Sequence, residues 1–199
     1  MLEARWGFET GWDPALIVPV GNFTLNPSTK ALLYGQQVFE VLRANMGYDN
    51  RIRLLRPRVH LKNLRKASAH LALPDFDDEE LLICIKRLVL SDASLIPPPY
   101  TNASLEIRVV LMGSDSLIDV EPSRSAVLYV FMIPHTQSSL LQYTEPRTVY
   151  VDPQYSRTWP GSLGEYKAAV NYAPTLLPTH TARELGERST NAAVFWLPH

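Results

Sequence analysis

Between positions 104 and 111 the chain alternates without a break. Leu105, Ile107, Val109 and Leu111 fall on one side of an extended strand, and Glu106, Arg108 and Val110 on the other. Residues 126–133 are continuously apolar, the pattern of a central strand. Upstream, 52–55 predicts a short strand after the Asp49-Asn50 turn. Leu61, Leu64, Ser68 and Leu71 then step by three or four and predict an amphipathic helix over about 60–73, stopped by Pro74. A second helix is announced by Asp77 and Glu80, a capping-box-like pair, and by Leu81, Leu82, Ile85, Leu88 and Val89 on one face. The polar stretch 134–146 reads as an interdomain linker. Beyond it, 148–151 predicts a short strand and 192–197 a last one. Between them a helix starts near 172–174 and ends around Gly186, with Pro178 inside it at a cost on the order of 3 kcal/mol. Strands and helices together predict an α+β chain.

Composition narrows the class without naming a chemistry. The chain has 199 residues, 46% hydrophobic and 20% charged, enough for a sizeable core in one large domain or two small ones. A formal net charge of −1 leaves no basic footprint for nucleic acid. The single cysteine, Cys84, excludes an internal disulfide and reads as a small buried hydrophobe on the second helix; the cytosol is the expected compartment. No stretch reaches transmembrane length, and no Arg/Ser-rich amphipathic lead opens the chain. Five scattered histidines make no ligand pair at helical spacing, so no metal is expected.

The candidate chemistry lies in Gly161-Ser-Leu-Gly-Glu-Tyr-Lys167-Ala-Ala-Val-Asn-Tyr172-Ala-Pro174. By spacing alone Lys167 is an ordinary loop lysine, the usual fate of that residue. The whole run, however, resembles the lysine motif of the branched-chain aminotransferases, which are fold-type-IV pyridoxal-phosphate enzymes. Further fragments are similar in the same order: Gly11-Trp12, Leu33-Tyr34, Val38-Phe39-Glu40, Asn50-Arg-Ile-Arg53-Leu, Leu71-Ala-Leu-Pro74, Ser104-Leu-Glu-Ile-Arg108 and Phe195-Trp196-Leu197.

The resemblance implies a small N-terminal α+β domain (1–134), an interdomain linker (135–146) and the first part of a large cofactor-binding domain (147–199). It implies transamination between leucine, isoleucine or valine and 2-oxoglutarate, with pyridoxal 5'-phosphate as cofactor, amino and 2-oxo acids as partners, and a homodimer as assembly. Residue by residue, Lys167 condenses with the cofactor aldehyde and later moves a proton. Tyr172 hydrogen-bonds the cofactor's phenolic oxygen, and Arg157 approaches the same site. Arg108 meets the distal carboxylate of glutamate, which its guanidinium fork suits. Tyr34 and Phe39 wall the side-chain pocket, Tyr34 in the service of the neighbouring subunit.

The departures from the family pattern carry expectations of their own. Asn63 stands where the family has an arginine that holds the cofactor phosphate, a loss of about 1.5–3 kcal/mol. Arg65 and Lys66 lie two and three residues off, about 200° and 300° around the helix. Glu106 stands where the family has a tyrosine, on one strand face with Arg108, which it can pair with and screen. The resemblance places the family's pyridine-nitrogen carboxylate after the position of Trp196-Leu197, so the 199-residue chain alone is expected to have little activity. A non-catalytic remnant that binds or dimerises is the alternative reading.

Overall fold

The structure, a computed structural model, describes residues 1–101, 103–135 and 154–185. The chain divides into two compact units, Met1–Gln137 and Ser138–His199. The strand expected at 148–151, the last one at 192–197, the Gly186 cap and most of the expected linker lie outside the described residues.

The first unit is built on one antiparallel sheet. Its described strands are β1 (Leu2–Gly7), β2 (Gly11–Trp12), β3 (Leu16–Ile17), β4 (Gln37–Met46), β5 (Ile52–Leu54), β6 (Ser104–Gly113) and β7 (Ser125–His135). They run in the order β2-β1-β7-β6-β4-β5, with β3 also paired to β1. Leu105, Ile107, Val109 and Leu111 of β6 have no exposed surface, as the alternation requires. β7 is the expected interior strand, held between β1 and β6. It continues through Pro134 to His135, opposite Leu105 and Ser104. β1 reaches only as far as Val130, so Pro134 sits where β7 has a neighbour on one side and its missing N–H breaks no ladder.

A short helix, α1 (Lys30–Leu33), precedes β4. Two longer ones, α2 (Pro57–His70) and α3 (Asp78–Ser91), follow β5. α2 packs on β4, and α3 packs on α2 and on β1. α2 buries Leu61, Leu64, Ala67 and Ser68, and α3 buries the five apolar residues its sequence pattern names. Asp77 caps α3, accepting from the Glu79 and Glu80 amides at 2.8 and 3.0 Å. Cys84 on α3 is half-buried rather than buried.

On the core face of β4 one charged residue interrupts the apolar run. Glu40 of β4 shares a face with Val38, Leu42 and Ala44 and is buried with them. Its Oε2 lies 2.9 Å from His60 Nδ1, linking β4 to α2. Among the described residues no helix is long and apolar enough to cross a membrane, and no group of three His, Cys, Asp or Glu side chains could hold a metal ion.

In the second unit, residues 154–168 form turns, followed by single helical turns at Ala169–Asn171 and Ala173–Thr175 and then α4 (Leu176–Leu185). The expected interior proline is corrected here. Pro178 is the third residue of α4, in a first turn whose N–H groups have no intrahelical partner, so it interrupts no helical hydrogen bond.

Candidate functional site

In the second unit the lysine is carried by a loop stapled to itself. Ser162 Oγ accepts from the Trp159 and Gly164 amides at 3.0 and 3.3 Å, and Ser162 N–H donates to the Trp159 carbonyl at 3.0 Å. Gly161, at φ +82°, takes the left-handed turn that glycine allows. A Cβ on Gly164 would collide with Thr158 Cγ2, so glycine there permits a close approach. Tyr166 N–H donates to the Leu163 carbonyl at 3.0 Å. Beside Tyr166, the Glu165 carboxylate accepts from the phenol and pushes its pKa up.

Lys167 follows, half-buried, with Ala168 fully buried next to it. Asn171, 8% exposed, donates from Nδ2 to the Leu163 carbonyl at 2.6 Å and to the Tyr166 carbonyl at 2.8 Å. Its own N–H donates to the Ala168 carbonyl at 3.1 Å. Tyr172 is exposed, and the Arg157 guanidinium lies over its ring, 5.6 Å from the centroid. Three of the six sequence candidates therefore belong to this unit, and Arg157 and Tyr172 are in contact.

The first unit carries the other three. The register sets Phe39 opposite Val110 and Val41 opposite Arg108, so Phe39 and Arg108 are diagonal neighbours on the sheet face turned away from the core residues Val38 and Leu42. Phe131 is opposite Arg108 and Tyr129 opposite Val110, and the Tyr129 and Phe131 rings stack at 6.2 Å. Phe23 leans on Tyr129 at 4.9 Å. On this aromatic face Arg108 Nε donates to Glu106 Oε1 at 2.7 Å, the pairing expected from their spacing. The Glu106 side chain is 12% exposed and that of Arg108 43%.

Tyr34 is elsewhere in this unit, at the C-terminal end of α1. That helix is pinned by Lys30, whose buried ammonium donates to Asp119 at 2.5 Å and to the Glu121 carbonyl at 2.8 Å, with Asp115 at 3.7 Å. Burial opposes the charge on Lys30, but the two carboxylates outweigh it and raise its pKa. Asn63 projects from α2 exposed, and neighbouring Arg65 is held bidentately by Asp75 at 2.5 and 2.6 Å. Asn171 is a side chain with a local role that no sequence pattern above marks. A carboxamide in an otherwise apolar turn, four residues past the lysine, was the available signal.

No model of a known family matches the chain. Individual proteins do. It is 36% identical over 197 residues to a branched-chain-amino-acid aminotransferase of Monosiga brevicollis, covering 99% of this chain and 49% of that protein. It is 37% identical over 186 residues to the mitochondrial enzyme of that name from Bos taurus, covering 94% and 47%. To the cytosolic one from Rattus norvegicus it is 34% identical over 186 residues, covering 94% and 45%. The chain thus spans about half the length of the curated relatives it matches.

Solved structures agree on the fold. The branched-chain aminotransferase of Thermoproteus uzoniensis with norvaline has a TM-score of 0.64 at 20% identity, over 82% of this chain and 52% of that one. The T.th. branched-chain aminotransferase complexed with N-(5'-phosphopyridoxyl)-L-glutamate has a TM-score of 0.68 at 20% identity, over 97% and 57%. The architecture is that of the fold-type-IV aminotransferases, and across nearly its whole length the chain is similar in sequence to proteins named branched-chain-amino-acid aminotransferase.

Proposed function

We propose that the protein carrying this chain is a pyridoxal-phosphate-dependent transaminase of leucine, isoleucine or valine with 2-oxoglutarate, and that Lys167 is its catalytic lysine. The observation that carries this reading is the stapled loop around Lys167, in a chain 34–37% identical over most of its length to proteins named for that activity.

The donors of the second unit fit the cofactor by their chemistry. Lys167 offers a primary amine for an aldehyde, Tyr172 a phenolic O–H for a phenolate oxygen, and Arg157 a guanidinium for an anionic group. Pyridoxal phosphate, when bound, supplies the electron sink for charge developing at the substrate Cα. Lys167 Nζ, as a free amine, takes the proton from that carbon and returns one. Tyr172 and Arg157, stacked on each other, orient the ring's polar edge. On the first unit, Phe39 offers apolar surface to an aliphatic side chain, and Arg108 is the cation for a distal carboxylate, although Glu106 already takes its Nε.

A homodimer is part of the proposal. It is supported by exposed apolar side chains on two segments that Lys30 ties together: Leu32, Leu33 and Tyr34 on one, Leu117, Ile118 and Val120 on the other. The cytosol is the proposed compartment, supported by the single cysteine. The relatives' names include cytosolic and mitochondrial forms.

The test is formation of 4-methyl-2-oxopentanoate from leucine by the longest polypeptide containing these 199 residues. The expected product requires 2-oxoglutarate and pyridoxal phosphate and is lost in Lys167→Ala. Product formation that survives Lys167→Ala would overturn the assignment.

A further inference from the structure

We propose that Asn171 is a positioning residue for Lys167, holding the peptide that carries the lysine so that its amine is presented to the aldehyde. The inference rests on the reading of Lys167 given above and adds a role for a side chain that reading leaves unused.

The carboxamide of Asn171 has two N–H bonds and directs both at main-chain carbonyls of the lysine loop, Leu163 at 2.6 Å and Tyr166 at 2.8 Å. The Tyr166 carbonyl belongs to the same planar peptide unit as the Lys167 N–H, so its hydrogen bond fixes the plane from which Lys167 starts. The Leu163 carbonyl also accepts from the Tyr166 amide, which closes the turn just before that plane. Downstream, the Asn171 amide donates to the Ala168 carbonyl, and Ala168 is fully buried. One residue therefore ties the backbone on both sides of Lys167, by its side chain before it and by its main chain after it.

Few side chains could replace this carboxamide. Aspartate has the same shape but, when ionised, only accepts; it would set a negative oxygen against two carbonyl oxygens. Glutamine carries the donors one methylene too far out. Alanine takes the carboxamide donor from the Tyr166 carbonyl and leaves the Leu163 carbonyl only the Tyr166 amide, in a half-buried turn. Reacting groups need placement to within a fraction of an ångström, and a displacement of about 1 Å can cost on the order of 100-fold in rate. A loosened Tyr166–Lys167 peptide is a short route to such a displacement.

The test uses the full 199-residue chain with pyridoxal phosphate as the probe. The Lys167 amine adds to the aldehyde carbon, the oxygen leaves as water, and borohydride then supplies hydride to make the linkage permanent. Peptide mapping by mass spectrometry gives the labelling rate at Lys167 relative to exposed Lys62 in the same molecule. Circular dichroism in the cofactor's absorption band reports how the captured group is held. In Asn171→Asp and Asn171→Ala, with far-UV spectra and cooperative melting retained, the Lys167:Lys62 rate ratio is expected to fall at least about tenfold. At saturating pyridoxal phosphate, capture persists but the induced dichroism is lost or inverted, a signature that weakened folding alone does not produce.

A ratio and a dichroic band within about twofold of wild type, in either folded variant, would overturn the role of Asn171. Wild-type chain that labels Lys167 no faster than Lys62 would instead bring down the reading of Lys167, and this inference with it. If both variants fail to fold, the wild-type carboxamide still decides. The two Asn171 Nδ2 protons must exchange with solvent far more slowly than those of exposed Asn63, and exchange at the Asn63 rate contradicts the staple.

Discussion

At Arg108 one neighbouring residue changes what the guanidinium can offer the proposed substrate. Glu106 sits two residues away on the same strand face and accepts from the Arg108 Nε at 2.7 Å, with little of its own surface exposed. A dicarboxylate approaching Arg108 meets a guanidinium already partly satisfied, and a second negative charge beside it. Glu106→Gln keeps the shape and removes the charge. It is expected to lower the KM for 2-oxoglutarate about tenfold, worth about 1.4 kcal/mol, while the KM for leucine changes less than about twofold. Equal changes in both would mean that the pair does not face the substrate. A second residue-scale consequence is a pH dependence at the β4–β5 turn. Arg53 donates to Asp49 and holds its carboxyl down to about 2. That folded value lies below the ordinary carboxylate value of about 3.9. The pair's contribution to stability is therefore complete above the ordinary value and is lost as pH falls from there through about 2. An NMR titration should place the Asp49 midpoint near about 2 in the wild type and return it toward about 3.9 in Arg53→Gln. A midpoint unmoved by that substitution contradicts the pairing.

At the scale of elements, the end of α2 is set by backbone geometry. Pro74 is not what stops it. His70 is the last helical residue, and Ala72 takes φ +50°, a left-handed value costly to any residue with a Cβ. The Leu73 amide donates back to the Ser68 carbonyl at 2.9 Å and the Ala72 amide to the Ala69 carbonyl at 3.1 Å, the two bonds of a Schellman cap. Glycine is the usual residue at that position, so Ala72→Gly should stabilise the first unit by roughly 0.5–1 kcal/mol in denaturant unfolding. Destabilisation would contradict the strain assigned to Ala72. The contrast with α3 explains what was legible. α3 declares itself through Asp77 and five apolar residues on one face, all of which are buried. β6 is equally plain, because its inward residues are uniformly apolar. β4 was not legible, since Glu40 occupies a core-facing position and is matched there by His60, which breaks the period of two. β1 was missed for a related reason: its charged residues Glu3 and Arg5 pair with each other, and its neighbour β7 is more than a hundred residues away in the chain. The lysine motif could be read by resemblance, but the staple by Asn171 could not. It depends on where two carbonyls point, and sequence spacing does not report that.

For the whole molecule, the exposed apolar side chains of α1 and of the β6–β7 connection mark the surface on which the proposed dimer depends. Substituting Ile118→Asp together with Val120→Asp, at positions 78% and 90% exposed, should leave the fold intact and shift a dimer to monomer in sedimentation equilibrium. An unchanged mass would place the interface elsewhere. Lys167 is expected to bind pyridoxal phosphate covalently from a loop tied on both sides, in a chain that spans about half the length of its curated relatives. The most direct measurement is the absorbance spectrum of the purified chain after addition of pyridoxal phosphate and removal of the excess. The expected result is a retained band near the visible edge, distinct from the free cofactor and absent in Lys167→Ala. A chain that retains no such band, or retains it equally in Lys167→Ala, would contradict it.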